Sequence, residues 1–223
     1  MASSGTTSFN ITIDEVIEEA YERCGVRTNA GNDIRSARRS LNLLFSEWGN
    51  RGINLWKVKS KTETLVNGSI TYNTPSDCND VLEAVVTTTG GTQQSLTKVS
   101  RSEYIAIPNK SATGTPSQYY VDRQITPTIS LYLAPDTSAV TNIFYYYLAR
   151  IEDVGAYTNT SDMPFRFFPC MVSGLAFYLS QKIAPDRIQA LKLLYEDELK
   201  RALEEDGQRT SVYISPNVYY PQG

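Results

Sequence analysis

From Thr12 to Cys24 the chain sets Ile13, Val16, Ile17, Ala20 and Cys24 at helical spacing, with Asp14, Glu15, Glu18, Glu19 and Glu22 between them. That pattern predicts an amphipathic helix with an acidic outer face. Thr12 and Glu15 stand in capping-box register at its start, and Gly25 supplies its stop. A second helix is predicted over 33–48, with Ile34, Ala37, Leu41, Leu44, Phe45 and Trp48 inward and Gly49 and Gly52 ending it. Arg35, Arg38 and Arg39 form its basic side. The short linker predicts an antiparallel hairpin that brings acidic and basic flanks within reach of each other.

At Trp56 the period changes to two: Trp56, Val58, Ser60, Thr62 and Thr64 alternate with charged or polar residues. Asn67-Gly68 then reads as a type I′ hairpin turn before Ile70 and Tyr72. Further strands are predicted over 82–87, 118–122, 129–133 and 142–150, about six in all, with a short helix near 102–107. Helical signals return at Asp162-Met163-Pro164, an N-cap acid and an early proline opening a segment to about Ala184. This helix is apolar nearly all round, which predicts a central position under the others. Its apolar stretch, Phe167 to Leu179, is bounded by Arg166, Gln181 and Lys182, short of the roughly 20 residues a membrane span needs. The last helix starts near Asp186, turns Ile188, Leu191, Tyr195, Leu199 and Ala202 inward, and ends about Gly207.

The fold class expected is α+β, an antiparallel helical bundle built from both ends of the chain around a strand-rich, sandwich-like insertion. The boundaries read as 1–54 for the first helical pair, 55–155 for the strands, 156–207 for the closing helices and 208–223 for an extended arm. Pro216 and Pro221 keep that arm from being helical, and Tyr213, Tyr219 and Tyr220 make it too aromatic for a solvated tail.

Composition narrows the chemistry. A net charge of -3 offers no basic excess to neutralise phosphates, which disfavours nucleic-acid binding as the main task. The chain has no histidine, so Ser-His-Asp, Cys-His and HExxH arrangements are impossible within it. Cys24, Cys78 and Cys170 stand far apart with no CxxC spacing, which suggests a reducing compartment and neither a disulfide framework nor a zinc site. The opening MASSGTTSFN carries no secretion signal, so the chain is expected to remain in the cytoplasm that makes it. Glu204, Glu205 and Asp206 read as a solvated helix end, and Asn109 to Gly114 as a surface loop lacking the order of a phosphate loop. Cys78, in the turn Pro75 to Asn79, reads as a plain thiol. No catalytic, cofactor or metal site is expected, and the chain is read as structural, not enzymatic. Its 15 tyrosines against 2 tryptophans suit strands and contact surfaces.

Several phrases carry a family resemblance. They are Leu43-Leu44-Phe45-Ser46-Glu47-Trp48-Gly49, Ile107-Pro108-Asn109-Lys110, Gly114-Thr115-Pro116-Ser117-Gln118-Tyr119-Tyr120-Val121-Asp122-Arg123 and Leu131-Tyr132-Leu133-Ala134-Pro135-Asp136. The second half adds Tyr146 to Asp153, Asp162-Met163-Pro164-Phe165-Arg166-Phe167, Gly174-Leu175-Ala176 and Lys182-Ile183-Ala184-Pro185-Asp186-Arg187. In order and spacing they resemble tailed-bacteriophage head-to-tail adaptors or tail accessory factors, similar to the tail tubular adaptor of short-tailed phages. The resemblance implies a virion protein at the head-tail junction, assembled in the host cytoplasm as a homo-oligomeric ring of about twelve subunits, matching the portal it docks under. It implies portal protein, tail nozzle or tube, and tail fibre proteins as partners, with genomic DNA passing through without sequence-specific binding and no membrane. Val212, Tyr213, Ile214, Tyr219 and Tyr220 are then candidates for contacting the portal, and Arg35, Arg38 and Arg39 for the subunit interface. The alternative reading is a carbohydrate-binding or peptidoglycan-processing tail protein; a capsid-decorating protein is a third.

Overall fold

A computed structural model describes residue 5 and residues 9–27, 31–51, 55–156 and 158–206. It is α+β, with five α-helices and several sheets among the described residues. Helix α1 (Ile13–Cys24) starts on Thr12, whose backbone N–H donates to Glu15 Oε2 at 2.7 Å and whose hydroxyl accepts from Glu15 N at 3.4 Å. It ends on Gly25 at φ 77°, a left-handed conformation that favours glycine, with the Arg187 guanidinium packed over it. Helix α2 (Gly31–Arg51) does not stop at Gly49. Arg51 pairs with Glu47 one turn back and with Glu196 at 3.1 Å, which holds the last turn from outside.

The last two helices are α4 (Phe168–Ile183) and α5 (Ile188–Asp206). Asp162 does not cap α4; it pairs with Lys57, and a 3-10 turn over Phe165–Phe167 opens the segment instead. Helix α4 contacts α1, α2 and α5, and a Cβ on Gly174 would stand 2.9 Å from Leu44 and from Tyr195. Residues from all four helices form one buried cluster. At its centre the Tyr195 hydroxyl accepts from Trp48 Nε1 at 2.8 Å and donates to Glu47 Oε2 at 3.0 Å.

Helices α1 and α2 meet through the Tyr21 hydroxyl, which donates to Asp33 O at 3.1 Å. The connection after the strands is bonded to both helices, at Ile13 N to Asn159 O (3.0 Å) and at Val154 to Arg38 and Asn42.

The strands are β1 (Val58–Thr64), β2 (Thr71–Asn73), β3 (Cys78–Thr88), β4 (Gln93–Ser95), β5 (Thr97–Lys98), β6 (Thr113–Gly114), β7 (Gln118–Asp122), β8 (Thr128–Tyr132), β9 (Ala134–Pro135) and β10 (Val140–Ala149), with the capped helix α3 (Arg101–Ala106) among them. One four-stranded sheet runs β1-β10-β3-β4 and a second β2-β8-β7-β5, with β6 and β9 forming a two-stranded pair, and a buried cluster draws residues from both larger sheets. The hairpin expected at Asn67-Gly68 does not form. Strand β1 pairs with β10 and β2 with β8, so this turn carries the chain from one sheet to the other. Gly68, at φ 73°, donates its N–H to Pro135 O at 2.9 Å, and the Tyr72 hydroxyl bonds both N and O of Val66. Cys78 closes the expected turn, its N–H donating to Pro75 O at 2.9 Å, and is also the buried first residue of β3, whereas Trp56 lies in a 3-10 turn over Leu55–Lys57.

Candidate functional site

Arg35, Arg38 and Arg39 stand three and four residues apart on α2, which places three guanidinium groups on one side of the helix. With Asn42 they line an open groove of about 450 Å³. The structure therefore brings the predicted trio together. Arg38 is half-buried, and its Nη2 donates to Val154 O at 3.0 Å. One turn on, Asn42 Oδ1 accepts from Val154 N at 2.8 Å, so α2 grips both polar groups of one peptide residue. Arg35 and Arg39 are exposed, as is Leu43 one turn beyond Arg39, at 60% of its surface.

A second surface of opposite sign lies on α1, where Asp14, Glu15, Glu18, Glu19 and Glu22 are all exposed. Hydrogen bonds from the Thr12 backbone and hydroxyl hold the Glu15 carboxyl below the usual carboxylate range. Glu19 pairs with Arg23 at 3.0 Å. Beside these carboxylates the rings of Phe9 and Phe165 lie 5.7 Å apart, 68% and 60% exposed. Phe9, Ile11, Glu15, Glu19, Arg23 and Phe168 line an open groove of about 550 Å³ there. These exposed phenyl rings leave apolar area in water beside charge.

A third groove, about 410 Å³, lies where the second half of α2 meets the ends of β3 and β10, lined by Phe45, Ser46 and Gly49 on one side and Asn79, Leu148 and Ile151 on the other. Neither it nor the Phe9–Phe165 pair was visible in the sequence. The groove is assembled from segments about a hundred residues apart, and Phe165 and Phe168 read as part of a buried helix. The Asp-Met-Pro run just before them was the available signal, because a proline-opened turn need not turn all its rings inward.

Several side chains with reactive potential are buried or bonded. Burial pushes the thiols of Cys24 and Cys78 up, and that of Cys170 up to about 12. Lys110 donates to Ile105 O at 3.1 Å and Ile107 O at 3.0 Å, closing the C-terminal end of α3. Of the carboxylates at 204–206, Asp206 is buried against Arg166 and not solvated as expected. Among the described residues no group of three or more Cys, Asp or Glu side chains could hold a metal ion, and no helix is long and apolar enough to cross a membrane. Val212, Tyr213, Ile214, Tyr219 and Tyr220 lie outside the described residues.

A family model described as SU10 adaptor protein matches residues 11–219, nearly the whole chain. No curated protein matches it.

Proposed function

The chain belongs to the SU10 adaptor protein family of phage structural proteins, and from that premise we propose that it forms a ring between the portal and the tail nozzle. The match over residues 11–219 carries this reading, because it spans the helices, the strands and most of the final segment together. A virion location and contact with other head or tail proteins follow from the family. In the proposed role the chain continues the DNA channel and gives tail proteins a platform, without catalysis. A ring of about twelve copies would match the portal above it. The net charge of -3 supports a lumen along which DNA slides without sticking. In the same reading the final segment supplies aromatic anchors to a portal groove, through Tyr213, Tyr219 and Tyr220.

Electron microscopy of the full chain mixed with portal rings tests the reading directly. Added density as a ring under the portal is expected; decoration of shells that lack portals would point to a capsid-decorating protein instead. For the anchors, a chain ending at Gln208 is expected to bind portal rings roughly ten-fold or more weakly, since buried aromatic anchors carry most of an interface's energy. Undiminished binding by that chain would remove the arm from the interface.

A further inference from the structure

We propose that the outer face of the β1-β10-β3-β4 sheet, with Leu82, Glu83, Phe144 and Tyr146, docks on Arg101 and Ile105 of helix α3 in a second copy of this chain. The inference rests on the ring reading and names a contact that would join neighbouring subunits. A ring of identical subunits needs two different surfaces that fit each other, because each copy meets one neighbour with one face and the other neighbour with the second. These two surfaces lie on different sides of the strands, because successive side chains of a strand point to opposite faces of its sheet. On β10, Ile143, Tyr145 and Tyr147 enter the buried cluster that the two larger sheets share, so Phe144 and Tyr146 turn away from it. Glu83 is the cross-strand partner of Tyr146 and stands on the same face. On β7, Tyr119 and Val121 enter the cluster from the second sheet, so Tyr120 turns outward there, where its ring stacks on Tyr104 of α3 at 5.2 Å. Glu83 and Arg101 are opposite in sign and both exposed. The basic side chains that reach β3, Lys98 and Arg123, pair with Asp80 at 2.8 and 3.8 Å, and among the described residues no ion pair takes up Glu83 or Arg101.

One exposed ion pair orients a contact without holding it, since water and salt screen it. Apolar surface is what would hold it, and both faces present some. Leu82 and Tyr146 are 43% and 45% exposed, and the Tyr146 ring meets that of Phe144 edge to face at 5.1 Å. Helix α3 presents Ile105, 64% exposed, one turn from Arg101. All six residues of α3 are exposed or half-buried, so burial within the chain does little to keep it helical. Isolated helices shorter than about 12 residues are marginal in water. Local contacts hold this one at both ends. Ser100 and Glu103 form a capping box at its start, and Lys110 donates to Ile105 O and Ile107 O at its end, with its amine 5.6 Å from the Tyr104 ring. A helix fixed in place yet left outside the core is a surface organised before its partner arrives. The spacings of the two faces match. Residues four apart on a helix stand about 6 Å from each other and cross-strand partners about 5 Å, so seating Ile105 on Tyr146 brings Arg101 to Glu83.

The buried state of Cys24, Cys78 and Cys170 allows a direct test, because cysteines introduced on the surface can be modified selectively. Ser60, opposite Tyr146 on β1, and Ser102, beside Arg101, are both exposed. Full-length Ser60→Cys and Ser102→Cys chains are mixed in equal amounts, free and on portal rings, and treated with a short bis-maleimide. The mixed product is expected to exceed either same-variant product by at least about ten-fold, as a head-to-tail contact requires. Adding Ile105→Asp to the Ser102→Cys chain should cut it about ten-fold or more. Adding Arg101→Glu to that chain instead should cut it about five-fold, and adding Glu83→Arg to the Ser60→Cys chain should then restore it. A statistical mixture, an excess of same-variant product, no product in either setting, a mixed product that Ile105→Asp leaves unchanged, or a charge swap that restores nothing overturns the contact. Portal docking, followed by co-sedimentation, separates the two claims. Cross-linking without docking sinks the portal reading and keeps this contact; docking without mixed product does the reverse.

Discussion

Tyr145 and Tyr195 are each about 1% exposed, yet their hydroxyls are situated in opposite ways. The Tyr195 hydroxyl links Trp48 to Glu47, whereas that of Tyr145 meets no hydrogen-bond partner among the described residues. Removing a hydroxyl strands its partners in the first case and relieves a buried polar group in the second. Tyr195→Phe is therefore expected to lower stability by about 1–3 kcal/mol, and Tyr145→Phe to leave it unchanged or raise it. Urea unfolding of both variants checks this, and a larger loss for Tyr145→Phe would contradict it. The sequence shows Tyr195 on the inward stripe of a helix, but the partner that fixes its role, Trp48, lies 147 positions away.

Among elements, those specified by local spacing were the legible ones. Helix α1, with its capping box and terminal glycine, and strand β7 follow from neighbouring residues alone. Strand pairing does not. Asn67-Gly68 supplies a turn in either topology, and only the burial of Leu65 and Tyr72 against β8 and β10 sends the chain across to the second sheet. Strands β4, β5, β6 and β9 are too short to show any alternation. Asp162 misled for a related reason, since its distant partner Lys57 competes with the cap it was assigned. That pair makes an asymmetric prediction, because Lys57 is 2% exposed and Asp162 is 41% exposed. Asp162→Ala leaves a cation buried without its partner and should cost about 3 kcal/mol, whereas Lys57→Met leaves a carboxylate that water can reach and should cost under about 1 kcal/mol. Equal losses in thermal unfolding would show that the pair contributes no such imbalance.

At the scale of the whole molecule, the arginine trio was legible because its residues share one helix, whereas the Phe9–Phe165 pair stayed hidden because the two rings come together only in the fold. The segments that flank the strands pack into the helical cluster. Trp56, just before β1, lies 4.4 Å from Phe167 of the helical cluster, and α2 grips Val154 shortly after β10 ends. Both clusters hold tyrosines whose phenols burial pushes up, Tyr119 to about 12 and Tyr145 further in the strands, and Tyr195 in the helices. A raised phenol contributes stability that is complete below the unfolded value of about 10 and is lost as pH climbs toward the folded one, because the unfolded chain releases its proton first. Between about pH 10 and 12 these three together should steepen the loss of stability by up to about 4 kcal/mol per pH unit. With both ends of the strand segment packed into the helical cluster, buried tyrosinate absorbance and the loss of helical circular dichroism should then rise in one coincident step. Two separate steps would mean that the strands and the helices open independently, and that the contacts at Phe167 and Val154 do not couple them.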